Sequence, residues 1–341
     1  MKIKYFILIL FISTDSWGKL TKWNQYPSSQ IQYLTQSKLF GIKYQALEKI
    51  QKEKWSLDKR DKAKALKLDK RIKQYKISLN NIVASQRLNI GKYKAIKDKL
   101  DHSYHGIYTK GRQKFHDKII GDYMKGIKLT GSRKKPRVIF TAGPMGVGKG
   151  YALEKLNACT YPQGNFVTVD PDRIKNYLPE FKEQINLRKN LSAEIKAGAA
   201  GYVHKESGYL AEIIQEIAFK SKLDIIVDGS LKDLGWTRML MKKFKSKGYK
   251  IEIIYVNAKS QIILKRVKER ARKTGRDIPR DTVLVNISEV SNTVKILTKE
   301  RGLVDKFIEI NNENIPTVDS TSQKIPLTLP RCKIQVDKFL R

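Results

Sequence analysis

The sequence predicts an α/β fold: a parallel sheet in a three-layer arrangement, helices on both faces, preceded by a Lys-rich helical segment. Three observations predict it. From Arg137 onward, short apolar runs rich in β-branched residues alternate with longer segments of helical period. Gly143, Pro144, Met145, Gly146, Val147, Gly148, Lys149 and Gly150 form a glycine-rich loop ending on a lysine, set between an apolar run and a helix start. Ahead of residue 136, Lys and Arg far outnumber Asp and Glu, and apolar residues recur at helical spacing.

The chain has 341 residues, enough for one α/β domain and an appendage. Residues 1–18 read as a secretory signal peptide. Lys2 and Lys4 form the positive end, residues 5–12 an apolar run too short to span a bilayer, and Ser16 and Gly18 a small-residue cleavage point. An uncleaved anchor or a misplaced start codon are the alternatives. The signal reading implies a secretory route with no membrane span after cleavage; without a working signal the expectation is cytoplasmic. Residues 19–135 form the basic helical segment, 136–316 the α/β domain and 317–341 a C-terminal extension.

The formal net charge of +36 favours acidic partners such as nucleotides, nucleic acid or anionic lipid. A Lys-rich solvated surface weighs equally, because the lysines are spread out and rarely interleaved with aromatics. Cys159 and Cys332 sit in no C-x-x-C or Cys/His cluster, so no zinc site is suggested, and the spacing supports no disulfide.

In chain order, Tyr44, Leu47 and Ile50, then Leu66, Leu68, Ile72, Tyr75 and Ile77, predict two or three helices with a modest apolar stripe. Residues 131–136, G-S-R-K-K-P, read as a linker. Strands are expected at 138–141, 165–170, 224–228, 251–257 and 307–310, and helices at 203–221, 236–247, 261–272 and 281–299. Ligands on such sheets bind at the carboxyl ends of the strands.

The chemistry-bearing residues fall at those ends. Loop glycines let backbone N–H groups curl around phosphate oxygens, the following helix adds partial positive charge, and Lys149 adds a full one. Asp170-Pro171-Asp172 closes the second strand. Two carboxylates there would hold a metal-bound water or take a proton from an attacking hydroxyl; the plainer reading is a turn with Asp172 capping a helix from Arg173. Asp228 ends an apolar strand before Gly229-Ser230, where a carboxylate would approach Mg²⁺; an ordinary strand-end turn is the alternative. Arg266, Arg270, Arg272 and Arg276 run along a helix into a loop, placed to neutralise a transferring phosphoryl group or to form a solvated basic face. His204-Lys205-Glu206 opens a helix. His and Glu two apart do not share a helix face, so a metal pair is disfavoured, and a substrate hydrogen bond and a surface role stay open.

With these pieces in order, residues 137–316 resemble the zeta-toxin family of P-loop kinases. The phosphate loop comes first, then a strand ending in D-x-D (Asp170, Asp172), then D-G-S (Asp228 to Ser230), then a helix leading into T-G-R-x-x-P (Thr274 to Pro279). The resemblance implies a P-loop NTPase-type fold and an ATP- and Mg²⁺-dependent kinase. Lys149 would hold the β/γ-phosphates and Asp172 would be the base. Asp228 would position substrate, and Arg276 with Arg266 or Arg270 would close on the phosphates. The implied acceptor is a small hydroxyl-bearing molecule such as a UDP-linked amino sugar. Asp170, Asp228, His204 and Glu206 are the candidate acceptor contacts, and Asp170 and Asp228 the candidate metal ligands. Two departures stand out. Gly150 replaces the Ser or Thr whose hydroxyl ligates Mg²⁺, and the basic segment is an addition. Two alternatives follow: a kinase acting on nucleic acid ends or another polyanion, and a non-catalytic ATP-binding module.

Overall fold

The computed structural model describes residues 37–57, 61–127, 135–153, 166–187, 201–274 and 278–313. The signal-like start, residues 131–134 of the linker, both cysteines, Arg276 and the C-terminal extension lie outside them.

Five parallel strands form one sheet in the order β2-β3-β1-β4-β5: β1 Arg137–Ala142, β2 Phe166–Val169, β3 Asp224–Val227, β4 Lys250–Asn257 and β5 Lys306–Asn311. All five lie where the apolar runs predict them. Parallel strands are covered on both faces, so they read as continuous apolar runs, not alternating ones. β1 shows why. Val138, Phe140 and Ala142 enter the large core, while Ile139 enters a second cluster with Ile254 and Ile308 on the opposite face.

The large core takes side chains from helices α5 (Lys110–Tyr123), α8 (His204–Lys220), α9 (Leu234–Lys245) and α11 (Arg280–Lys299). On the other side, α10 (Ser260–Thr274) packs Ile263 and Val267 against Val147 and Val256. Helices on both faces are therefore present, as predicted. The short α6 (Pro171–Lys175) and α7 (Pro179–Leu187) follow β2. From β1 the chain crosses toward β2 on one side and returns to β4 on the other, which opens a crevice at the carboxyl end of β1.

The Lys-rich segment is helical: α1 Lys38–Ser56, α2 Lys62–Ser85, α3 Lys94–Lys97, α4 His102–His105, then α5. Ser37 caps α1 by accepting from the Phe40 N–H at 3.3 Å, and Thr109 caps α5 by accepting from the Arg112 N–H at 3.3 Å. The apolar stripe of α2 needs correction. Leu68 and Leu79 are buried, but Leu66 is 60% and Ile77 53% exposed. At about 100° per residue, positions two apart lie on opposite sides, and the stripe that meets α1 runs through Ile72, Tyr75, Leu79, Ile82 and Val83. The end of the segment is not a separate layer. Ile96, Tyr108, Ile119, Ile120 and Tyr123 share one core with β1, β2 and α8. Among the described residues, no helix is long and apolar enough to cross a membrane.

Candidate active site

The loop after β1 takes the shape its glycines allow. Gly143, Gly146 and Gly148 have φ of +154°, +83° and +86°, a region that L side chains rarely adopt. A Cβ on Gly143 would lie 2.8 Å from the Val256 carbonyl, and one on Gly146 would run into Val267 of α10. Buried amides hold the loop from outside. The Met145 N–H donates to Asn286 Oδ1 of α11 at 3.0 Å, and Asn312 Nδ2 donates to the Val147 carbonyl at 2.7 Å. A helix starts at Lys149, whose ammonium donates to the Gly143 carbonyl at 3.2 Å.

Burial pushes the Lys149 ammonium below the usual lysine range, and the charges of Asp228, Asp172 and Asp170 act against that while Arg270 adds to it. Those five side chains therefore share one electrostatic neighbourhood. Asp228 is fixed from β1: Thr141 Oγ1 donates to Asp228 Oδ1 at 2.6 Å and accepts from the Gly229 N–H at 3.0 Å. Asp170 caps α6, its Oδ1 accepting from the N–H groups of Asp172 at 2.8 Å and Arg173 at 3.1 Å. The cap is thus Asp170, not Asp172, because α6 begins at Pro171 and its first free N–H groups point back at residue 170. Burial and the neighbouring charges of Asp228 and Asp172 hold the Asp170 carboxyl above the usual range. Asp172 is left projecting outward, its side chain 73% exposed and paired with the buried Lys175 at 2.5 Å.

This set fits a nucleoside triphosphate. The curled loop, Lys149 and the helix start supply an anion cradle. A divalent cation is fitted less completely. Asp170 and Asp228 are near enough to influence each other, but Gly150 brings no hydroxyl, and among the described residues no three His, Cys, Asp or Glu gather as a metal site.

The model of the zeta toxin family matches residues 121–322. The chain belongs to that family. No protein of curated function matches it. Among solved structures, the PezAT toxin–antitoxin system of Streptococcus pneumoniae is similar at 17% identity and a TM-score of 0.48, over 61% of this chain and 80% of that one. AvrRxo1-ORF1:-ORF2 with ATP is similar at 18% and 0.45, over 66% of this chain and 69% of that one. The tunicamycin resistance protein of Deinococcus radiodurans is similar at 18% and 0.30, over 51% and 86%. Likenesses of this size say nothing of substrate.

Within the zeta toxin match, the remaining candidates separate. Arg266 lies on the loop backbone, Nη1 donating to the Val147 carbonyl at 3.2 Å, while Arg270, one helical turn on, acts on Lys149. Arg272 is exposed at the end of α10. His204 stands near the base candidate: burial, then the charge of Lys175, hold its imidazole down to about 4, with Asp172 opposing. Glu206 is not at the surface. It is fully buried and accepts from Arg112 Nε at 2.5 Å and His116 Nε2 at 2.6 Å, both on α5. Thr141, Asn286, Asn312 and Lys175 go unnoticed in the sequence. A polar residue inside an apolar run, as Thr141 is in V-I-F-T-A, is the one local signal available. Asn286 and Asn312 lie more than a hundred residues from the loop they hold.

Proposed function

We propose that this chain is an ATP-dependent phosphotransferase that moves the γ-phosphoryl group to a hydroxyl of a small acceptor, with a UDP-linked amino sugar as the first class to test. The observation that carries it is the curled phosphate loop at the end of β1, with Lys149 opening the helix after it and the charges of Asp228, Asp172, Asp170 and Arg270 all acting on that ammonium. Family membership supports the reading.

Lys149 and the loop N–H groups bind and orient the phosphates. The exposed Asp172 carboxylate takes the proton of the acceptor hydroxyl. The freed oxygen forms a bond to the γ-phosphorus as the β–γ bridging P–O bond breaks, and ADP leaves with that electron pair. Arg270 and, from its place in the sequence, Arg276 offset the charge that spreads over the transferring group. Mg²⁺, held by Asp228 and Asp170, would neutralise phosphate charge when bound. Positioning and electrostatics supply most of the acceleration in such chemistry.

The test is transfer of labelled γ-phosphoryl to a panel of nucleotide sugars, nucleosides and RNA oligomers. We expect label on one small acceptor, and at least a hundredfold loss in Lys149→Ala and in Asp172→Asn. Full activity in Asp172→Asn would remove Asp172 as the base. Two observations favour other readings. Gly150 favours a nucleotide-binding module without turnover, and ATP binding with no transfer to any acceptor would select it. The exposed Lys62, Lys64, Lys67, Lys70 and Lys73 of α2 favour a polyanionic acceptor; RNA or DNA binding that weakens steeply with salt would select that. Secretion of the chain, read from residues 1–18, is tested by sequencing the N-terminus of the exported protein.

A further inference from the structure

Arg112 lies ahead of residue 121, where the family match begins, yet it is buried, at 7% exposure. It reaches two helices at once. Nη1 and Nη2 donate to Glu180 of α7 as a two-bond fork, each at 2.8 Å, and Nε donates to Glu206 of α8 at 2.5 Å. Glu180 and Glu206 are themselves 7% and 0% exposed. His116, one turn further along α5, gives Glu206 a second donor. Three turns on, Tyr123 donates to the Thr168 carbonyl at 2.9 Å, near the end of β2, and Arg173 stacks over its ring at 5.3 Å.

These contacts fall on the acceptor half of the site. α7 follows α6, which carries Asp172, after residues 176–178, and Glu206 is two residues from His204, which feels the charge of Asp172. Arg112 therefore ties α7, the helix that follows the one bearing the base, to the helix bearing its histidine neighbour. A bidentate guanidinium fixes orientation as well as distance.

We propose that Arg112 is a positioning residue, and that α5 is a built-in strut holding Asp172 and His204 in register for phosphoryl transfer. The basic segment is then part of the catalytic unit, not a detachable appendage. Its kinetic consequence rests on the phosphotransferase reading; its structural consequence does not.

The experiment uses the full chain with Arg112→Met, Arg112→Lys and Glu180→Gln. Glu180→Gln removes only the charge of the α7 arm and keeps the Arg112–Glu206 pair, so it guards against a variant that fails to fold. Two readouts are taken: amide hydrogen exchange by region, and steady-state transfer with affinity for a fluorescent ATP analogue. We expect faster exchange confined to residues 171–187 and 204–208, with the β1, β3 and β4 amides unchanged. We expect ATP-analogue affinity within twofold of wild type. Transfer should fall on the order of tenfold to a hundredfold, chiefly in kcat, with partial rescue in Arg112→Lys. Exchange that rises equally in the central strands, or that does not change in 171–187, overturns the proposal. So does loss of nucleotide affinity in step with transfer. If wild type transfers to no acceptor, the phosphotransferase reading fails alone, and the exchange arm still decides for or against the strut.

Discussion

At the scale of single residues, the site turns on Thr141 and Gly150. The Thr141 hydroxyl is the side-chain donor that orients Asp228, and it is fully buried. Thr141→Val keeps the shape and removes that donor. We predict a loss of about 1–3 kcal/mol in stability by chemical denaturation, the usual cost of leaving a buried polar partner unpaired, with Thr141→Ser close to wild type. Gly150 poses the opposite case. It is exposed, and a Cβ there meets no atom within 4 Å, so nothing in the packing demands glycine. Gly150→Ser should fold with stability within about 0.5 kcal/mol of wild type. It should lower the Mg²⁺ concentration for half-maximal transfer on the order of tenfold, the scale on which shell contacts tune metal affinity. An unchanged Mg²⁺ titration would show that the cation is held without a hydroxyl at this position.

At the scale of elements, the phosphate loop owes its shape to helices far away in sequence. α10 closes on Gly146 through Val267, and α11 accepts the Met145 N–H through Asn286. Asn286 is 4% exposed in the middle of a helix, where an amide is an ordinary helix-neutral residue unless it has a partner across the fold. Asn286→Ala should cost about 1–3 kcal/mol and weaken ATP binding several-fold, because the Met145 N–H is left without its acceptor. Parallel urea denaturation and ATP titration separate the two effects; a stability loss with unchanged affinity would mean the amide supports the helix alone. α5 likewise depends on partners far away in the chain. Its helical periodicity is visible in the sequence, but the pairing of Arg112 with Glu180 and Glu206 spans 68 and 94 residues.

At the scale of the whole molecule, buried ionisable groups make stability depend on pH. Burial, then the charge of Lys175, lower His204 from the ordinary 6.5 to about 4, and burial lowers His102 and His116 as well. The unfolded chain takes up protons in that range that the folded chain refuses. The contribution is thus complete above pH 6.5 and lost as pH falls toward 4. Glu206 adds a second window. Burial works to raise its carboxyl, but the hydrogen bonds and charges of His116 and Arg112 prevail and hold it at about 2, so its contribution goes as pH falls from 4.5 toward 2. We predict a thermal midpoint that drops steadily below pH 6.5, and a loss of unfolding free energy between pH 7 and 5 that is smaller by on the order of 1 kcal/mol in His204→Asn. An identical pH profile in that variant would mean His204 is not held neutral by the fold.

The strand positions, the phosphate loop and the strand-end aspartates are legible in the residues alone. These are set by local chemistry: apolar runs that must be covered on two faces, glycines that alone tolerate positive φ, and carboxylates placed where a strand stops. Tertiary contacts decide which group caps α6, bury Glu206 of α8 against α5, hold Asp228 through Thr141, and support the phosphate loop through Asn286 and Asn312. They also decide that Leu66 and Ile77 stay outside the core while the end of the basic segment enters it. Each of these depends on which distant surface a side chain meets, and local periodicity carries no information about that partner.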